Sequence, residues 1–300
     1  MPNFVAQMRT AAFIFVAVIF PALAIWSSSN SAQSADTKIP IEYVPPKNPA
    51  HQSTYEQMKQ QQVLEYVQKV LESLRLPRPL RVKLMDCDGV VNAWYDGESV
   101  TVCYEYIEEV QKNEPNKPLP LGITKMDTLA GPLLDVFMHE SGHAVFDILS
   151  IPIWGREEDA ADYFSTYVML QYDKQRAREL ILGSAYQYTI EMHQPQVSMA
   201  LKDFSDEHGT PAQRFYNVLC IAYGADPKLF ADVVEQGYLP KDRADGCEDE
   251  YHQVSYAFKT TIQPHLDRGS VKQLSKMRSK LKTPQEGRGD HLGAMIGTWT

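Results

Sequence analysis

The chain has 300 residues, 44% of them hydrophobic, with 16 tyrosines and 11 phenylalanines. That is enough apolar material for one or two globular domains, and it excludes disorder throughout. The formal charge is −9 and the 29 Lys and Arg are scattered, so no basic face can neutralise a phosphate backbone and nucleic acid is excluded as an expected partner.

The first segment sets the expected compartment. Met1 to Arg9 carries one basic residue, Ala11 to Trp26 is almost wholly apolar, and small polar residues follow to Ala35. Residues 1–35 therefore read as a secretory signal peptide, with cleavage after Ala32, Ser34 or Ala35 all open. An uncleaved anchor is the alternative, but sixteen apolar residues with Pro21 among them fall short of the roughly 20 that a bilayer needs. No cysteine lies near the cleavage region, so lipid attachment is not indicated. The expectation is a periplasmic or secreted protein with no stable membrane span after cleavage. The oligomeric state is not readable. Cys87, Cys103, Cys220 and Cys247 all lie in the exported part, and an even count there suggests two disulfides. The shortest loops join Cys87 to Cys103 and Cys220 to Cys247. No C-x-x-C pair offers a cysteine zinc site.

Residues 36–52 are proline-spotted and aperiodic, an extended lead-in. Thr54 to Leu76 then repeats apolar residues at helical spacing until Pro77 and Pro79 end it. Arg81 to Met85 alternates as a strand. Val90 to Tyr95 and Ser99 to Tyr104 flank Asp96-Gly97, the signature of a type I′ hairpin that sets Ala93 opposite Val100 and Val91 opposite Val102. In that register Cys87 reaches Cys103 only through a slip at Asp88-Gly89. From Pro132 onward the pattern is nearly all helical: roughly Pro132 to Ser150, Glu157 to Tyr172, Lys174 to Met192, Ala212 to Tyr223, Pro227 to Gln236 and Cys247 to Ile262. Strands first and helices later predict an α+β fold, a small N-terminal sheet with a hairpin packed on a mostly helical body. One domain is expected over residues 53–281, with a division into two lobes left open, and residues 282–300 are expected to be a mobile tail.

His139-Glu140-Ser141-Gly142-His143 is an H-E-x-x-H motif inside a buried helical pattern. Residues four apart stack one turn above each other, so both imidazoles can bind a single zinc ion, while Glu140 is rotated away and can take the proton of a water beside the metal. Two stacked, buried imidazoles without a metal would face desolvation and each other. A third ligand is needed. Arg156-Glu157-Glu158-Asp159-Ala160-Ala161-Asp162 opens the next helix. Acidic residues in a first turn offset the helix dipole, but that does not account for Asp162, one turn beyond Glu158. Glu158 is assigned as ligand and Asp162 as the group that orients a ligand imidazole, with Glu157 in reserve as ligand. Asp135 and Asp147, on the same stripe as the histidines, are further candidates for orienting them.

These residues resemble the glutamate-zincin peptidases, in which H-E-x-x-H is followed by E-x-x-x-D on a second helix; the E-x-x-A-D form, with Ala161, looks like the membrane zinc endopeptidases that include the CaaX prenyl protease. The resemblance implies a zincin-like fold. It also implies that Asn92-Ala93-Trp94 stands where an Asn-Ala-aromatic edge strand binds extended substrate in thermolysin-like enzymes. Closest is the similarity, from about Leu84 to His265, to a family of bacterial exported proteins of unknown function labelled metallopeptidases. It rests on Val91 to Ala93, Cys103-Tyr104, His139 to His143, Gly155 to Asp162 and Gln213 to Asn217. The chain lacks the membrane spans of the prenyl protease group, so that group's substrates are not carried over.

A polar donor to the developing oxyanion is expected. His208 is the first candidate and Tyr223 the second, while Arg214 is assigned a structural ion pair. The expected function is zinc-dependent hydrolysis of peptide bonds in a peptide or protein substrate. A non-catalytic zinc-containing scaffold is one alternative, although Glu140 would then have no task. A zinc hydrolase of cell-wall or other small amides is another.

Overall fold

The computed structural model describes residues 38–193 and 205–269. The signal peptide expected over 1–35 and the tail expected over 282–300 lie outside the described residues. Four strands form one mixed sheet in the order β1-β2-β4-β3: β1 Ile41–Tyr43, β2 Arg81–Met85, β3 Ala93–Tyr95 and β4 Ser99–Cys103. β1, β2 and β4 run parallel, and β3 is the antiparallel edge. Helices α2 (Val63–Leu71) and α4 (Asp127–Ile148) pack on different pairs of strands, α2 on β1 and β2, α4 on β3 and β4. Every residue of β4 is buried, which explains why it reads as a continuous Val-Thr-Val run rather than an alternating one. The architecture is α+β, a small N-terminal sheet against a helical body.

Several expectations are corrected here. The lead-in contains β1, too short between Pro40 and Pro45 to show an alternation. The helix expected over Thr54 to Leu76 is two helices, α1 (Gln52–Gln60) and α2. Gln62 breaks them at φ 56°, and the Tyr43 hydroxyl accepts the Leu64 N–H at 2.8 Å, so a group from the sheet satisfies a donor that a continuous helix would have used. The hairpin register is shifted by two residues: Ala93 faces Val102 and Tyr95 faces Val100. A type I′ turn needs two positive-φ residues, and only Gly97 has one, at 91°. The Asp96 carboxylate instead accepts the N–H groups of Glu98 and Ser99 at 3.0 and 2.7 Å, building a longer turn closed by its side chain.

Cys87 is bonded to Cys103 and Cys220 to Cys247. No slip in the hairpin is involved, because Met85 at the end of β2 lies beside Cys103 at the end of the parallel strand β4. A helix the periodicity did not announce, α3 (Tyr104–Lys112), starts directly after that cysteine.

The helical body is α4, α5 (Glu157–Met169), α6 (Lys174–Met192), α7 (Pro211–Ala225), α8 (Ala231–Glu235), α9 (Lys241–Ala244) and α10 (Cys247–Thr261). α4 begins five residues before the expected Pro132, which lies inside it, and Asp127 anchors the entry by accepting from Thr124 N–H and Oγ1. α8 starts four residues after the expected Pro227. α5 and α6 flank α4. The approach to α6 is close: a Cβ on Gly183 would lie 1.9 Å from the Asp127 carbonyl oxygen. On the α5 side a Cβ on Gly142 would meet Ala161 Cα at 3.3 Å, so the small residue inside the H-E-x-x-H run lets the acidic helix lie against the histidine helix.

Candidate metal centre

That packing sets the geometry of the site. His139 and His143 project from α4, and Glu158 projects from the first turn of α5. His139 Nε2 and Glu158 Oε2 are 3.0 Å apart, His143 Nε2 and Glu158 Oε2 3.4 Å, and the two Nε2 atoms 3.3 Å. The edge of a tetrahedron with bonds of 2.0 to 2.1 Å is about 3.3 Å, so the triangle has the size of a ligand shell. The other ring nitrogens are already engaged. His139 Nδ1 is 2.8 Å from Asp162 Oδ1, and His143 Nδ1 is 2.8 Å from Glu157 Oε1. A proton on each Nδ1 leaves two Nε2 lone pairs and a carboxylate oxygen pointing at one spot, an arrangement that a divalent cation relieves. The donor set fits a metal ion.

Behind the triangle, Arg214 on α7 donates to both oxygens of Asp162, Nε at 2.8 Å and Nη2 at 2.6 Å. Its guanidinium also lies over the Tyr188 ring at 4.8 Å. Burial disfavours the Asp162 carboxylate, but Arg214 and His139 more than offset it and hold its pKa at about 2. Burial likewise opposes the His139 imidazolium; Asp162 and Glu158 outweigh it and raise the pKa to about 9. Glu158, surrounded by His139, His143 and His208, is held well below the usual carboxylate range despite burial. Glu140 is displaced the other way: burial raises it, and the neighbouring imidazoles only partly counter that. One carboxylate of the centre is thus kept ionised while its neighbour is made more basic, the division of labour expected of a ligand and a proton acceptor.

His208 lies on the loop before α7. Its Nε2 is 2.9 Å from Glu158 Oε2 and its Nδ1 3.2 Å from Asp206 Oδ1, while its ring stacks 6.1 Å from that of His139. The Glu158 carboxylate raises its pKa. A cleft of about 580 Å³ runs past these groups and is lined by Asn92, Ala93, His139, Glu140, His143 and His208 among others. Its rim is β3. Cys103 N–H donates to the Asn92 carbonyl at 3.1 Å, so in the antiparallel alternation Trp94 faces β4 while Ala93 and Tyr95 turn their backbone groups to the open edge.

The structure thus brings His139, Glu140, His143, Glu158, His208, Asn92 and Ala93 to one cleft, with Asp162 directly behind it. Glu157 takes the orienting position at His143 rather than the ligand position. Asp135 and Asp147 do not contact either imidazole: Asp135 accepts from Ser165, Ser184 and Tyr188, and Asp147 is paired with Arg78 and Tyr95. Tyr223 is not among the lining residues. Sequence reasoning missed Tyr106 on α3 and Ser184, Gln187, Tyr188 and Glu191 on α6, all in the lining. The last four recur at i, i+3, i+4 and i+7, so a polar stripe at helical spacing was the available signal.

A family model described as "Putative metallopeptidase" matches residues 43–262. No curated protein and no solved structure matches the chain.

Proposed function

The chain belongs to that metallopeptidase family, and from this premise we propose that it is an exported zinc peptidase in which His139, His143 and Glu158 hold one Zn2+ and Glu140 is the general base. The observation that carries the reading is the triangle of donor atoms 3.0 to 3.4 Å apart, with Glu140 and an open strand edge on the same cleft. Two imidazoles and one carboxylate suit zinc among the common divalent ions. Zinc there supplies Lewis acidity toward water and toward a carbonyl oxygen.

The protein's own groups do the rest. Ala93 and Tyr95 offer backbone donors and acceptors to an extended peptide, which adds as a strand beside β3 and brings a scissile bond over the donor triangle. Glu140, made more basic by burial, takes a proton from the attacking water and returns it to the leaving nitrogen. His208 donates to the carbonyl oxygen as charge develops there. Asp162 and Glu157 hold the ring protons on Nδ1, so that both Nε2 atoms stay available to the ion, and Arg214 holds Asp162 in place. Peptides are the substrate class the family implies. The two disulfides are compatible with an oxidising, exported location, reached through a signal peptide over residues 1–35 that precedes a single catalytic domain over 53–281. Among the described residues no helix is long and apolar enough to cross a membrane.

Wild-type protein and Glu140→Gln, compared for bound zinc and for hydrolysis of a mixed peptide library, test the proposal. The expected result is one zinc in both and a loss of at least about 100-fold in rate for the variant. Equal hydrolysis by both would remove Glu140 from its role, and hydrolysis by neither would favour a scaffold.

A further inference from the structure

We propose that the α6 side of this cleft is a subsite for a cationic group of the substrate, an ammonium or guanidinium, with the Glu191 carboxylate as its acceptor. The proposal rests on the peptidase reading and names the substrate class for it.

α6 turns a polar stripe toward the cleft, made by Ser184, Gln187, Tyr188 and Glu191. A helix packed between others ordinarily buries apolar residues on that face, and upstream α6 does so with Ala177, Leu180 and Ile181. Most of the polar groups in this part of the cleft have their partners in the fold. Asp135 takes the hydroxyls of Ser165, Ser184 and Tyr188. Asp162 takes Arg214 and His139. Glu191 differs. Among the described residues its hydrogen-bond donor is the Gln187 amide, at 3.2 Å, a neutral group. Arg214 acts on it from a distance, while its Nε and Nη2 are committed to Asp162.

The charge of the surroundings sharpens this. Asp135, Glu140, Glu157, Glu158 and Glu191 line the same cleft, and among the described residues Arg214 is its one basic residue besides the histidines. A divalent ion at the donor triangle does not restore balance. Burial raises the pKa of Glu191, and Arg214 only partly counters that, so the carboxylate is held at a cost that an arriving cation would remove. Glu191 shares this cleft with Glu140 and Tyr106, and the charges of Glu191, Asp135 and Glu140 all act on the Tyr106 hydroxyl. An acidic substrate side chain is repelled here and a neutral one leaves Glu191 as it is. A cationic one gains a charge-assisted hydrogen bond in a partly desolvated site. A free N-terminal ammonium carries the same chemistry as a Lys or Arg side chain.

The experiment uses peptides that differ only by lysine or norleucine at one position, each with a free and an acetylated N-terminus, on the zinc-loaded full chain. The readout is the ratio of kcat/KM between cationic and neutral members. Wild type is expected to prefer the cationic member by about 10- to 100-fold. Glu191→Gln should bring the ratio to near one, and Glu191→Lys should turn it toward a matching glutamate peptide. Loss of preference on acetylation assigns the subsite to the N-terminal ammonium, and preference that survives acetylation assigns it to the side chain. A wild-type ratio near one, or an unchanged ratio in Glu191→Gln, overturns the proposal. Calorimetric binding of the same pairs to Glu140→Gln, with and without Glu191→Gln, reads the subsite without turnover. Should no peptide be cleaved, discrimination in binding that disappears with Glu191→Gln upholds the subsite while the peptidase reading fails. Equal binding of both members sinks the subsite by itself.

Discussion

Among the described residues two places gather a histidine with two or more carboxylates, and one of them has the form of a ligand shell. At the cleft, His139, His143 and Glu158 converge. Just beyond the ends of β2 and β4, His51 meets Asp86 and Glu105. The second group is satisfied from within. His51 Nδ1 is 2.7 Å from Glu108 Oε1 and its Nε2 faces the Asn48 amide at 3.2 Å. Asp86 accepts the Asn48 N–H at 2.8 Å, and Glu105 accepts those of Cys87 and Gly89 at 3.1 and 2.7 Å. These carboxylates tie down the bend after Cys87, where Asp88 and Gly89 both take positive φ. His51 Nε2 stays 3.6 and 3.8 Å from Glu105 and Asp86. At the cleft no backbone N–H of the described residues fills the triangle, and its edges are 3.0 to 3.4 Å. What sets the candidate metal site apart is the convergence of ring nitrogens and a carboxylate on one spot rather than the inventory of donors nearby.

The sharpest way to break that contrast is to remove one carboxylate from each cluster. Glu158→Ala is expected to take bound zinc from one equivalent to nearly none and to abolish hydrolysis. Glu105→Gln should keep the full equivalent while lowering stability by about 1 to 3 kcal/mol through its lost backbone bonds. Zinc by elemental analysis after gel filtration, with urea unfolding of both variants, decides. A second equivalent in the wild type that disappears with Glu105→Gln would mean the two clusters are alike after all.

A smaller effect is expected one layer back. Asp162 fixes the His139 ring while Arg214 fixes Asp162, so Asp162→Asn leaves the three donors in place and weakens their alignment. Zinc affinity should fall by about 10- to 100-fold, measured by competition with a chromophoric chelator. An unchanged affinity would assign the Arg214–Asp162 pair to holding α7 against α5 only.

How much of this was legible in advance follows the range of the interactions. The stacking of His139 on His143 is fixed by one helical turn, and Glu158 with Asp162 by the next, so local periodicity was enough to nominate them. Gly142 and Ala161 meet where the two helices pack closely, a contact seen only once the helices are placed. The rest depends on partners distant in sequence. β1 exists because β2 lies beside it, α2 is separate from α1 because Tyr43 caps it, and the hairpin register follows the Asp96 side chain rather than the Asp-Gly pair. The α6 stripe was visible as polar residues at helical spacing, but only the packing of α4, α6 and α7 shows that it faces a cleft rather than solvent. His51 and Glu105 gave no signal, since their partners are backbone amides supplied by a loop.

The smallest predicted difference concerns the proton on His51. Burial disfavours its charged form, but Glu108, Glu105 and Asp86 outweigh burial and raise its pKa above the ordinary value. A group whose folded pKa is raised is favoured in its protonated form by folding. Its contribution is therefore complete below the unfolded value near 6.5 and is lost as pH rises through the raised folded value. The melting temperature of His51→Gln should lie further below wild type at pH 5.5 than at pH 9. Calorimetric scans of both proteins in EDTA read this without interference from metal at the cleft. A gap independent of pH would mean that the imidazole is neutral at both ends of the range. A gap that widens toward pH 9 would mean that the ring is buried against its charge, and the carboxylates around it would then need a cation other than a proton, removing the distinction between the two clusters.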